Sequence, residues 1–137
     1  MKILIVDDDI DDRQLIGLAF NEVGFAHSID YVRNGEELMN YLKEVQLSGK
    51  NGQFPDLILL DLNMPKMDGR AALREIRSDS SFKNLNIIVL STTISNEDHK
   101  FVIDFGVLKS ITKPCGFYEL VDIVRKICDE LTRLHPS

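Results

Sequence analysis

The chain has 137 residues, 44% of them apolar, which is enough to fill the core of one domain without disulfides or metal staples. Its 22 acidic residues against 16 basic ones leave a net charge of -6 and no basic stripe, which excludes a nonspecific nucleic-acid surface. Only four apolar residues follow Met1-Lys2 before the first acids, too few for a signal-peptide core, and no apolar run approaches the ~18 residues of a membrane span, so the expected compartment is the cytoplasm.

Strand and helix signals alternate along the whole chain. Ile3 to Val6 reads as a strand running straight into Asp7-Asp8-Asp9. Ile10, Leu15, Ile16, Leu18, Ala19 and Val23 then recur at helical spacing, with Gly24 as the stop. Ser28 to Val32 alternates weakly and predicts a second strand. Asn34-Gly35-Glu36-Glu37 opens the next helix in capping-box style, and Leu38, Met39, Leu42 and Val45 share its inner face. Residues 49 to 55 form the longest loop-like stretch, read as a connection inside one domain that spans residues 1–137.

The third strand is 57 to 60, four apolar residues bounded by acids and followed by Pro65, the pattern of a strand buried on both faces. Gly69 closes the next loop, and Ala71, Ala72, Leu73 and Ile76 begin a third helix. Asn86 to Leu90 predicts a fourth strand. Residues 95 to 105 predict a helix with Phe101, Val102 and Phe105 inward, and Val107 to Ile111 a fifth strand interrupted by Lys109. The last helix, Phe117 to Leu134, carries Leu120, Val121, Val124, Ile127, Cys128 and Leu131 on one face. Five strands alternating with five helices imply an α/β fold, a doubly wound parallel sheet with helices on both faces.

In such a sheet all strand carboxyl ends lie on one rim. Asp7 and Asp8, Asp61, Ser91-Thr92-Thr93 and Thr112-Lys113-Pro114 therefore converge. Crowded carboxylates repel one another and call for a cation to stay ionised. Oxygen-only donors at an open site suit Mg²⁺, which bridges carboxylate to phosphate oxygens. A lysine and a hydroxyl hold the remaining phosphoryl oxygens, and Asp61 is free to attack phosphorus in line.

These residues resemble the receiver domains of two-component response regulators. The resemblance runs from about Lys2 to Leu131 and rests on Val6-Asp7-Asp8, on Asp61 to Gly69, on Ser91 and on Thr112-Lys113-Pro114. It implies a flavodoxin-like strand order 2-1-3-4-5 and phosphorylation of Asp61 by a histidine kinase or histidine phosphotransfer protein. Asp8 would bind Mg²⁺ directly, Asp7 would support it, and the Asn63 main-chain carbonyl would be a further ligand. Ser91 and Lys113 would hold the phosphoryl group, and Asn63 and Thr93 would tune its hydrolysis. The family often has a cis bond before the proline at Pro114. Receivers commonly carry Tyr or Phe three residues before the lysine. Here Ser110 stands there, which departs from the usual activation relay. The stretch from Glu44 to Phe54 resembles stand-alone regulators related to those serving phytochrome-type kinases. Output is then expected through a downstream protein target or a homodimer, with no nucleic acid and no membrane as partners, because the chain ends within about six residues of the last helix and no output module is expected there.

Plainer readings compete. Asp7 and Asp8 alone would be solubilising acids at a helix start. Asp7-x-Asp9-x-Asp11 imitates a calcium loop, but Asp12 and Leu18 occupy the positions that need Gly and a bidentate Glu. Asp9, Asp11 and Asp12 read as helix-start charges, and Lys66 as a solvated loop residue. Cys115 and Cys128 lack metal-ligand spacing, Cys128 reading as core. His27, His99 and His135 lie in separate elements. A phosphatase of the aspartyl-phosphate type typically needs an acid two residues after its nucleophile, where this chain has Asn63. A flavodoxin-like cofactor binder would need a phosphate-cradling loop where Asp7-Asp8-Asp9 stands.

Overall fold

A computed structural model describes residues 1–24, 28–48 and 54–134. His27, His135 and most of the 49–55 connection lie outside the described residues. In chain order the elements are β1 (Lys2–Val6), α1 (Ile10–Val23), β2 (Ser28–Val32), α2 (Gly35–Ser48), β3 (Leu57–Leu60), α3 (Gly69–Ser78), β4 (Ile87–Ser91), α4 (Asn96–Asp104), β5 (Lys109–Thr112) and α5 (Phe117–Leu134). The strands form one parallel sheet in the order β2-β1-β3-β4-β5, as expected.

Because successive side chains of a strand point to opposite faces, each central strand feeds two cores. Leu4, Val6, Ile58, Leu60, Ile87 and Val89 face α2, α3 and α4, where Leu38, Leu42, Leu73, Ile76 and Val102 complete the packing. Ile3, Ile5, Leu57, Leu59, Ile88 and Leu90 face α1 and α5, against Ile16, Phe20, Val124, Ile127 and Leu131. Cys128 is in this second core and Cys115 is exposed.

The structure revises several local expectations. Ile10, Leu15 and Leu18 are not the inner face of α1. They are 59%, 42% and 55% exposed, whereas Ile16, Ala19 and Phe20 are buried. Ile16, Ala19, Phe20 and Val23 make the i, i+3, i+4, i+7 stripe that fits between sheet and α5, and Ile10, Leu15 and Leu18 fall on its flanks. Asn34 does cap α2, accepting from the Glu37 N–H at 2.9 Å. The Glu37 carboxylate, however, accepts from the Arg33 N–H at 2.7 Å rather than closing a box on Asn34. β5 begins only at Lys109, because the Val107 N–H is taken by the Val102 carbonyl at the end of α4 and the ladder starts with Ile88 opposite Lys109. Ser91 is the last residue of β4 rather than a residue after it.

One row of arginines on α3 holds α4. The Arg70 guanidinium donates to both oxygens of Asp98, at 2.8 and 2.6 Å. Arg74 lies 4.9 Å over the Phe101 ring, and Arg77 donates to the Phe105 and Gly106 carbonyls at 2.7 and 3.2 Å. Hydrogen bonding to Arg70 holds the Asp98 carboxyl below its ordinary value. A depressed acid contributes stability above its unfolded pKa and loses it as pH falls through the folded one. Arg70→Ala should therefore cost about 1 kcal/mol at neutral pH, measured by urea unfolding, with the difference from wild type shrinking below pH ~4.

Candidate functional site

The sheet ladder extends one residue beyond several strands, and those extra residues are the site. The Asp7 N–H donates to the Val32 carbonyl at 3.1 Å, the Asp61 N–H to Val6 at 3.0 Å and the Lys113 N–H to Ser91 at 2.8 Å. Backbone bonds thus fix three charged side chains at the carboxyl edge before any side-chain contact is made. All peptide bonds among the described residues are trans, Lys113–Pro114 included, in place of the cis bond the resemblance implied. The trans form is the preferred one even before proline, and the bond to Ser91 presents the lysine without the other isomer.

Gly69 sets the shape of the loop that follows Asp61. Its N–H donates to the Leu62 carbonyl at 3.1 Å, and α3 starts directly beneath the Asp61 main chain. Asp68 caps that helix by accepting from the Ala71 N–H at 3.0 Å.

Asp7 and Asp61 are 1% and 6% exposed, Ser91 is fully buried, and Asp8 is open to solvent. One oxygen from each of Asp7, Asp8 and Asp61 lies within 4.8 Å of the others. Three hard oxygens at that spacing, one of them solvent-facing, can hold a divalent cation. The Ser91 hydroxyl donates to Asp61 Oδ1 at 2.6 Å and accepts from Asn63 Nδ2 at 3.2 Å. The Asn63 amide also donates to the Thr93 carbonyl at 3.2 Å, and its N–H reaches Asp61 Oδ1 at 3.1 Å. Asn63 and Thr93 are both exposed at the rim.

The Lys113 ammonium donates to Asp7 Oδ2 at 2.6 Å and Asp12 Oδ2 at 2.8 Å, and stands 3.6 Å from Asp61 Oδ2. Burial opposes its charge more than any other single effect. Hydrogen bonds to Asp12 and Asp7, with the charges of Asp61 and Asp7, together outweigh that burial and raise its pKa. Burial raises the Asp7 carboxyl above its ordinary value, and the Lys113 hydrogen bond only partly offsets it. Three carboxylates, Asp7, Asp12 and Asp61, thus share one ammonium with Asp8 close by, an excess of negative charge that a divalent ion would balance.

The structure brings together Asp7, Asp8, Asp61, Asn63, Ser91 and Lys113 at this rim. It adds Asp12, which reads in the sequence as a helix-start charge. The available signal was its place three residues after the Asp9 cap, on the turn of α1 nearest the rim.

Ser110 is on β5 opposite Val89, and its Oγ is buried without a hydrogen-bond partner among the described residues. A hydroxyl in that state opposes folding, so Ser110→Ala should raise stability by about 1 kcal/mol in urea unfolding while leaving the rim intact.

A doubly wound sheet whose carboxyl edge gathers three acids, a hydroxyl and a lysine defines a class of phosphoryl-accepting signalling domains. The chain belongs to the response regulator receiver domain family, whose model matches residues 3–125. Over 125 residues it is 32% identical to the response regulator Rcp1 of Synechocystis sp. (strain PCC 6803), covering 91% of this chain and 84% of that protein. The phosphorylated cyanobacterial phytochrome response regulator RcpA superposes with a TM-score of 0.83 at 40% identity, covering 99% of this chain and 95% of that one. The Mn²⁺-bound form of Rcp1 gives 0.82 at 31% identity, over 99% and 96%. The chain is accordingly a phosphoacceptor of two-component signalling. No helix among the described residues is long and apolar enough to cross a membrane.

Proposed function

We propose that the phosphoryl group is accepted on Asp61, from a histidine kinase or a histidine phosphotransfer protein, with Mg²⁺ as the required ion. The observation that carries this reading is the wiring of the Asp61 carboxylate. One oxygen is held by the Ser91 hydroxyl at 2.6 Å, and the other faces the Lys113 ammonium 3.6 Å away. Asp61 is also the acid that the buried β3 delivers to the middle of the sheet.

Asp7, Asp8, Asp61 and the Asn63 main-chain carbonyl would hold the ion, and the similar protein Rcp1 has been crystallised in a Mn²⁺-bound form. When bound, Mg²⁺ balances the charge of the acids and of the incoming phosphoryl oxygens. Asp61 forms a new P–O bond as the P–N bond of a phosphohistidine breaks, and the departing imidazole keeps the electron pair and takes up a proton. Lys113 and Ser91 meet the transferred oxygens. The chain thereby assists its own phosphorylation and, through water positioned near Asn63 and Thr93, its own dephosphorylation. Residues 1–137 act as one receiver unit in the cytoplasm, and the signal leaves through a downstream protein target or a homodimer. The likeness to RcpA favours a phytochrome-type kinase as donor.

A phosphoester phosphatase is disfavoured because Asn63, an amide that cannot protonate a leaving group, is committed to Ser91 and Thr93. Incubation with acetyl phosphate and Mg²⁺ followed by intact mass separates the two. One added phosphoryl group, absent with excess EDTA, is expected. Continuous release of phosphate from many phosphoesters with no adduct would overturn this reading.

A further inference from the structure

We propose that Asp12 is a positioning residue for phosphoryl acceptance, the second of two carboxylates that aim the Lys113 ammonium at the phosphoryl site. This rests on the reading of Asp61 as the acceptor. An ammonium has three N–H donors and free rotation about its last bond, so one ion pair leaves the other two donors undirected. Here Asp7 takes one donor at 2.6 Å and Asp12 another at 2.8 Å. The remaining donor is left for the side of Asp61, which at 3.6 Å is not yet hydrogen-bonded. Two anchors therefore fix where the third donor lies before the phosphoryl group arrives, and little reorganisation is needed at the moment of transfer.

The anchor is itself held. Asp12 is in the first turn of α1, where the Asp9 carboxylate accepts from its backbone N–H at 3.2 Å and from that of Asp11 at 2.9 Å. α1 is locked against the sheet and α5 by Ile16, Ala19 and Phe20. The Lys113 side chain is 11% exposed and that of Asp12 33%, so the pair is shielded enough for the contact to persist in solution. Asp11, one residue away, carries a similar charge, but the ion-pair partners of the lysine among the described residues are Asp7, Asp12 and Asp61.

This geometry separates aim from charge. Asp12→Ala removes the acceptor, Asp12→Asn keeps an acceptor oxygen without the charge, and Asp11→Asn removes a neighbouring charge alone. The rate constant for phosphorylation by acetyl phosphate in saturating Mg²⁺ should fall about tenfold in Asp12→Ala, the size of one well-placed charged hydrogen bond. It should largely recover in Asp12→Asn and stay at the wild-type value in Asp11→Asn. Urea unfolding of metal-free Asp12→Ala, Lys113→Met and the double variant should give non-additive changes, which a solvated surface charge would not. Equal or faster phosphorylation of both Asp12 variants, or additive unfolding changes, would overturn the proposal. A wild-type chain that takes no phosphoryl group would instead overturn the reading of Asp61 and this proposal with it, whereas an active wild type with an indifferent Asp12→Ala sinks this proposal alone.

Discussion

Asp61→Asn is expected to take no phosphoryl group from acetyl phosphate, as read by intact mass, while remaining folded. The substitution keeps size and shape. The amide oxygen still accepts the Ser91 hydroxyl, which lies 2.6 Å from Asp61 Oδ1, and the Asn63 N–H at 3.1 Å. What disappears is the anionic oxygen that attacks phosphorus, and no neighbouring acid is placed to substitute for it. Asp7 is bound to Lys113 and to the Asp9 N–H, and Asp8 is out in solvent. The variant also removes one of the charges crowded around Lys113, so its stability without divalent ions should equal or exceed that of wild type. Mg²⁺ should raise its thermal midpoint less than it raises that of wild type, since one of the carboxylates within 4.8 Å is gone. Incorporation at the wild-type level would place the acceptor elsewhere.

Gly69→Ala is expected to be the most damaging single-methyl change at the site. A Cβ there would lie 2.3 Å from the Asp61 carbonyl oxygen, 2.8 Å from the Leu62 Cα and 3.1 Å from the Asp61 carbonyl carbon. All three are main-chain atoms of the segment that carries the nucleophile, so no side chain can swing aside. Relief requires α3 to move away from β3 or Asp61 to shift along the rim. The expected cost is about 3 kcal/mol in urea unfolding, together with a loss of phosphorylation that persists under conditions where the variant is folded. A fully stable Gly69→Ala with wild-type phosphorylation would show that the loop relaxes without disturbing Asp61. Gly35 meets a similar limit against the Met67 carbonyl at 2.5 Å, but it lies away from the nucleophile.

What was legible in the chain followed from periodicity and punctuation. Ile3 to Val6 and Leu57 to Leu60 are short apolar runs stopped by acids, and a parallel strand buried on both faces has no other sequence form. α5 is legible residue for residue because its stripe is regular and faces one surface. α1 is less legible because it is apolar on its flanks as well, and only packing against α5 and the sheet selects Ile16, Ala19 and Phe20 over Ile10, Leu15 and Leu18. β5 starts later than its apolar residues suggest, since Val107 and Leu108 look like strand but bond to the end of α4 and to Ile87.

The site divides along the same line. By itself the amino-acid sequence determined that acids, a hydroxyl and a lysine leave successive strands, and a parallel sheet puts all such ends on one edge, so their convergence needed no coordinates. Only the tertiary structure decided which of those groups touch. Lys113 reaches Asp12 across 101 residues, Asn63 bridges Ser91 and Thr93, and Gly69 passes under the Asp61 carbonyl. Those contacts depend on how α1 and α3 pack on the sheet and on side-chain rotamers, and neither is encoded in the local alternation of apolar and polar residues.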